Sequence, residues 1–197
     1  MADAAFPLDL LGRAWKLVAG RYAAYELVLP GSAGFQCQPR LCDAFCCRSY
    51  SVNLGEVEVA RMATTSGLLP ARFLETENGE PIVLPMAQPF LLRREDNRCA
   101  LLGDDLRCTQ YHGRPDACRL YPHFVVFINE AEAKPVYADL DAIAEAMAAF
   151  RSGGKPPLVP LLLRHVECPG FTGPPMTGEE WQVLFATTYE LQYAPPN

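Results

Sequence analysis

Four cysteines fall within eleven residues, Cys37-x4-Cys42-x3-Cys46-Cys47, and three more, Cys99, Cys108 and Cys118, occupy a second window, with Cys168 following. Thiolates gathered in this way hold metal ions or metal clusters. Zinc knuckles space their ligand pairs two to four residues apart, so that one tight turn aims two sulfurs at a tetrahedral ion. The first window is built differently. Neighbours such as Cys46 and Cys47 project in different directions from a helix or a strand, so reaching one small ion would strain the pair. A polynuclear cluster, or two sites sharing the segment, removes that difficulty. Iron-sulfur clusters take four cysteine thiolates each, and eight cysteines divide into two four-ligand sites or one cluster with a reactive remainder. Isolated buried thiols, disulfides and a structural zinc site are the competing readings.

Compartment bears on that choice. The opening Met1-Ala-Asp-Ala-Ala-Phe-Pro-Leu-Asp-Leu has no basic stretch followed by an apolar one, and Asp3 and Asp9 interrupt it, so no secretion signal is read. The longest apolar run, at residues 158–163, is broken by Pro160 and falls far short of the roughly 20 apolar residues a membrane span needs. A soluble, cytoplasmic protein is expected, and reduced thiols there favour metal over disulfides. With 197 residues, 50% of them hydrophobic, the chain can build a core without covalent staples. Its net charge is −6 and its 17 basic residues form no phosphate-tracking run, so metal ions are expected partners and nucleic acid and membrane are not. Fourteen of those residues are arginines, and Arg48, Arg98, Arg107 and Arg119 each adjoin a cysteine. A GC-rich genome would explain the bias; equally, guanidinium groups would offset the charge of a four-thiolate site and donate to sulfur. Three histidines are candidate ligands: His112, best placed between Cys108 and Cys118, then His123 and His165.

The elements that must position these groups follow from periodicity. Leu8, Leu11, Trp15, Val18, Tyr22 and Tyr25 make one helical stripe over residues 8–28, ended by Pro30-Gly31. A short extended piece at 51–54 precedes a helix over 55–66 that closes on Gly67. An Asn78-Gly79 turn introduces a strand at 81–85, and a strand at 90–94 is separated from Cys99 by Glu95-Asp96-Asn97. Gly103-Asp104-Asp105 turns the chain back, setting Cys99 opposite Cys108 across a hairpin. Residues 124–128 read as a strand and 139–151 as a helix, whereas the proline-rich stretch 155–175 reads as a loop holding Cys168. Thr177-x-x-Glu180 announces a last helix with Trp181, Leu184, Phe185, Thr188 and Leu191 on one side. The sum is an α+β chain: a single domain over 1–197 with terminal helices, a small antiparallel sheet and metal-organised loops.

One stretch is more specific. Cys108-Thr-Gln-Tyr111-His-Gly-Arg114-Pro115-Asp-Ala-Cys118-Arg119-Leu-Tyr121-Pro122 resembles the C-x-x-Y-x-x-R-P-x-x-C-R-x-[YF]-P signature of the YkgJ-type cysteine-cluster family, described as zinc- or iron-chelating. The cysteine run at 42–47 with the strand and helix after it, Cys99-Ala-Leu-Leu, and the closing Cys168-Pro-Gly resemble further elements of that family. Residues 35–172 are thereby marked as a metal-binding core, with 1–34 and 173–197 as flanking helices. Family members commonly run C-x-x-C-x-x-C-C, and the looser spacing here makes Cys37 the weakest member of its group. The resemblance implies chelation by all eight cysteines and, through a frequent family label, iron-sulfur oxidoreductase activity; it supplies no substrate or partner. Arg114, Arg119 and Tyr121 would then stand just outside the metal ligands, either bracing the loop or gripping an anionic partner. Three functions compete: an iron-sulfur or iron centre for redox or cluster-assisted chemistry, a non-catalytic zinc module, and a metal carrier. The chain has no G-x-G-x-x-G after a strand, no P-loop, and a serine at position 49, where the three-cysteine radical S-adenosylmethionine pattern needs a cysteine after Cys42-x3-Cys46.

Overall fold

The first helix, α1 (Leu8–Val18), buries Leu11, Ala14 and Val18, the beginning of the expected stripe. It stops well short of residue 28. After a one-turn 3-10 segment containing Gly20, a poor helix former, Tyr25–Leu27 becomes strand β1, whose backbone pairs with a strand far downstream. Tyr22 still packs in the core, so the apolar stripe continues on a different backbone. Next come α2 (Phe45–Ser49), β2 (Asn53–Leu54) and α3 (Glu56–Ser66), which closes on a left-handed Gly67 as predicted. Strands β3 (Thr76–Glu77) and β4 (Glu80–Pro81) form a hairpin about Asn78-Gly79, both at positive φ, and the strand expected to reach residue 85 ends at 81. Strand β5 (Phe90–Leu91) pairs with β2. Strands β6 (Arg94–Glu95) and β7 (Arg98–Cys99) turn through Asp96-Asn97, again both at positive φ. The remaining elements are α4 (Asp116–Leu120), β8 (His123–Asn129), β9 (Lys134–Val136), α5 (Leu140–Arg151), β10 (Val159–His165) and α6 (Gly178–Tyr193). The computed structural model describes residues 8–193, so the leading segment in which no signal was read lies outside the described residues.

This α+β chain divides into two units, each with its own apolar core. The sheet unit joins residues 8–34, Pro122–Glu167 and Thr172–Tyr193; the stretch 122–167, marked from the sequence as part of the cysteine core, thus packs with the terminal segments. Its four-stranded antiparallel sheet runs β1-β10-β8-β9. Strand β10 is therefore central, which corrects the expectation of a loop over 155–175. Pro160, the residue that argued against a strand, pairs with Phe127 at a level that β1, opposite residues 163–165, does not reach. With a neighbour on one side only, the missing N–H is tolerated. Val125, Val126, Phe127 and Ile128, with Leu161, Leu162 and Leu163, are almost wholly inaccessible, and since alternate side chains point to opposite faces, both faces of the sheet centre are covered. Helices α1, α5 and α6 supply that cover. The α6 capping box forms as read, Thr177 N donating to Glu180 and Glu180 N to Thr177. Trp181 is buried and donates its indole N–H to the Val28 carbonyl at 2.8 Å. Where β9 stops short, Gln192 bonds both the N–H and the C=O of Val125 at 2.8 Å, standing in for a strand.

The cysteine unit joins Phe35–Tyr121 to Cys168–Phe171. Among the described residues its strands are two-residue ribbons around six buried residues, Leu54, Met62, Phe73, Leu74, Leu92 and Leu101, against twenty in the core of the sheet unit. No helix among the described residues is long and apolar enough to cross a membrane.

Candidate metal centre

All eight cysteines belong to the cysteine unit. Cys37 and Cys168 are carried by two segments held together, Gln36 N donating to the Gly170 carbonyl at 2.7 Å and Phe35 packing on Phe171 with ring centroids 5.6 Å apart. A Cβ at residue 170 would lie 2.8 Å from the Gln36 oxygen, which is why the Cys168-Pro-Gly sequence needs its glycine. The chain then turns through Asp43 and Ala44, both at positive φ, with Ala44 N bonded to the Pro39 carbonyl, and enters α2 with Cys46 and Cys47. Those neighbours do not diverge as expected: their sulfurs are 4.0 Å apart. Two ligands of a tetrahedral zinc with bonds of ~2.3 Å sit about 3.8 Å apart, so the vicinal pair is nearly at ligand spacing.

Arg94 fixes the exit of α2. Its guanidinium donates to the carbonyls of Arg48 at 2.5 Å, Asn97 at 2.6 Å and Tyr50, tying the last turn of α2 to the hairpin that carries Cys99. The partner of Cys108 is Leu102, not Cys99 as the hairpin reading had it; Cys99 pairs with Arg94 in its own ribbon. The loop from Gly103 to Arg107 sets the register: with Leu102 opposite Cys108, Cys99 lies three residues before the pairing position. Both thiols nevertheless pack on the six-residue core.

Cys118 lies on α4, and α4 is held by a polar clasp from α3. The buried Glu58 carboxylate accepts from Gly55 N at 2.9 Å and from Asp116 N at 2.7 Å. Arg61 donates to the Arg114 carbonyl at 3.1 Å and to the Asp116 carboxylate at 2.8 Å. Gly113 comes so near α3 that a Cβ there would fall 2.0 Å from the Thr65 hydroxyl oxygen. Arg114 donates to the Tyr111 carbonyl and covers the Tyr111 ring at 3.7 Å, and Arg119 pairs with Asp116 at 3.1 Å. Both arginines thus brace the loop through carbonyl and carboxylate contacts. Arg48, expected beside sulfur, reaches Asp43 at 3.5 Å. Sequence reasoning missed Glu58, Arg61, Thr65 and Arg94; only Glu58, three residues after a helix-starting glycine, carries a local signal. Tyr121 packs on Tyr50 at 5.6 Å, and burial, then Cys168, raises its hydroxyl pKa. His112 is exposed beside Tyr111, while His123 and His165 lie in the sheet unit on β8 and β10.

Cys99 accepts the N–H of Leu101, two residues onward, at 3.4 Å, and the backbone at Gln110 and at Gly170 lowers the pKa of Cys108 and Cys168. Such bonds favour the thiolate and tune what a metal bound to it does. Burial acts the other way, raising Cys99, Cys108 and Cys168 and pushing Cys118 up to about 12. Cys46 is the exception, held at about 7 chiefly by the hydrogen bond from Cys47, which is raised in turn. Among the described residues no three His, Cys, Asp or Glu side chains converge on one ion. The donor set itself fits a thiophilic metal: eight sulfurs in one unit, one of them with an amide donor, and the positive charge of Arg114 lowering the pKa of Cys37, Cys46, Cys108 and Cys118 behind the larger effects of burial and hydrogen bonding.

A thiol-rich unit with so small an apolar core defines a cysteine-based metal-chelating protein. Residues 36–140, just over half the chain, match the model of the CxxCxxCC family, described as a "putative zinc- or iron-chelating domain", and the chain belongs to that family. Seven of the eight cysteines fall inside the match; Cys168 lies beyond it. No curated protein and no solved structure matches the chain.

Proposed function

We propose that the cysteine unit holds iron as an iron-sulfur cluster and serves redox or cluster-assisted chemistry. What carries this reading is the all-sulfur donor set, with the Leu101 N–H donating to the Cys99 sulfur, since an amide donor lowers the charge cost of a reduced cluster and raises its potential. Bound there, a cluster would supply one-electron transfer or a Lewis-acidic iron. The chain's own part is to bind through thiolates, to offset their charge with Arg114, and to shield the site with Tyr50 and Tyr121. Protein purified without oxygen is expected to be brown and to contain iron and acid-labile sulfide in similar amounts. Colourless protein carrying zinc and no sulfide would overturn the proposal.

A second reading, a structural zinc module, draws on the six-residue core of the cysteine unit, too small to order so many residues by burial alone. Metal removal that abolished a turnover while leaving this unit folded would count against it.

A further inference from the structure

We infer that the eight thiols make two four-cysteine centres, one from Cys47, Cys99, Cys108 and Cys118, the other from Cys37, Cys42, Cys46 and Cys168. The division rests on the thiolate-metal reading above and holds whichever metal is bound. It follows from which backbone segments the fold brings together. For the first centre, α2 packs against β7, which puts Cys47 beside the strand of Cys99. Cys108 opposes Leu102, and Thr109 N bonds the Leu101 carbonyl, so Cys108 returns to the chain just past Cys99. Cys99 and Cys108 share one apolar floor, to which α3 contributes Met62. The same helix grips α4 through Glu58 and Arg61, and α4 presents Cys118. For the second centre, the Gln36–Gly170 bond sets Cys37 beside Cys168, and the turn over 39–44 brings Cys42 back to the start of α2 and Cys46.

With their sulfurs 4.0 Å apart on α2, Cys46 and Cys47 would place one ligand in each centre only if the two centres adjoin along that helix, which is the arrangement inferred.

The test is an oxygen-free titration of the reduced, metal-free full chain with cobalt(II), followed by its sulfur-to-cobalt charge-transfer absorption. Two equivalents are expected before saturation. Cys118→Ser and Cys168→Ser should each bind one equivalent, and the double variant should lose the charge-transfer band. Saturation of the unaltered chain at one equivalent, or loss of all absorption in either single variant, overturns the division. Cadmium-113 NMR of the unaltered chain covers the case in which a variant fails to fold: two all-sulfur resonances support the division, and a single one refutes it. Absence of any thiolate-cobalt absorption from the unaltered chain would sink the metal-thiolate reading as well, which separates the two failures.

Discussion

Glu58 illustrates how one side chain sets the place of a cysteine, Cys118, through the backbone of α4. Its two carboxylate oxygens take one backbone N–H from the start of α3 and one from the start of α4. Glu58→Ala would strand both donors in a buried place, at a cost of about 2–4 kcal/mol. Because every cysteine lies in that unit, the loss should appear as faster labelling by a thiol-reactive dye in a urea series on the reduced, metal-free chain. Gly113→Ala should cost about 1–3 kcal/mol by driving a methyl group into Thr65. Adding Thr65→Ala removes the oxygen that clashes, so the pair should be more stable than the sum of the two changes predicts; strict additivity in a double-mutant cycle would rule out the contact.

His123 gives a pH signature in the other unit. Burial, then the adjacent Arg164, lowers its pKa from 6.5 to about 4, and Glu26 pairs with that arginine at 2.7 Å. The neutral imidazole is the folded form. Its contribution is complete above pH 6.5, where the unfolded chain is also neutral, and is lost as pH falls from there through about 4, because the unfolded state takes up the proton first. On the order of 3 kcal/mol is at stake over that window. Urea midpoints followed by tryptophan fluorescence should fall between pH 7 and pH 4.5, and His123→Phe should flatten the slope.

At the scale of elements, helices with terminal signals were legible and the centre of the sheet was not. Gly67 and the Thr177/Glu180 pair cap their helices as read, because those interactions lie within four residues of sequence. Strand β10 escaped because the tolerance for Pro160 depends on where β1 stops, a fact held more than a hundred residues away. The early end of α1 has the same origin: the partners of Tyr25–Leu27 are residues 163–165. In the cysteine unit, the stretch from Cys108 to Pro122 was marked by its motif, but the helix that grips it was not. An arginine at position 61 or a threonine at position 65 looks like any exposed helix residue until the loop is laid against it. Gln192 makes a further element-scale prediction. Gln192→Ala takes a partner from both polar groups of Val125 and should lower the stability of the sheet unit by about 1–3 kcal/mol in thermal melts, while Gln192→Glu should recover the N–H bond only.

For the whole molecule, the two units carry separate reporters. Trp15 and Trp181 are the two tryptophans of the chain and both lie in the sheet unit, whereas all eight cysteines lie in the other. Stripping metal with a chelator should therefore raise thiol reactivity sharply and leave tryptophan emission unchanged, since the sheet unit has an apolar core of twenty residues and its counterpart one of six. A shift of tryptophan emission in step with thiol exposure would show that the sheet unit also needs the metal. Rebinding should release protons, most of the thiols being held above their usual pKa by burial, so affinity should rise with pH.

The pairing of β1 with β10 has a consequence for synthesis. Glu26 meets Arg164 across 138 positions, so during translation β1 must wait for nearly the whole sheet unit to leave the ribosome. The contiguous stretch 35–121 has no such wait. The cysteine unit can begin to close first, with seven thiols present, while the strands that flank it in sequence are still unpaired, and the eighth, Cys168, arrives only after β10 has emerged.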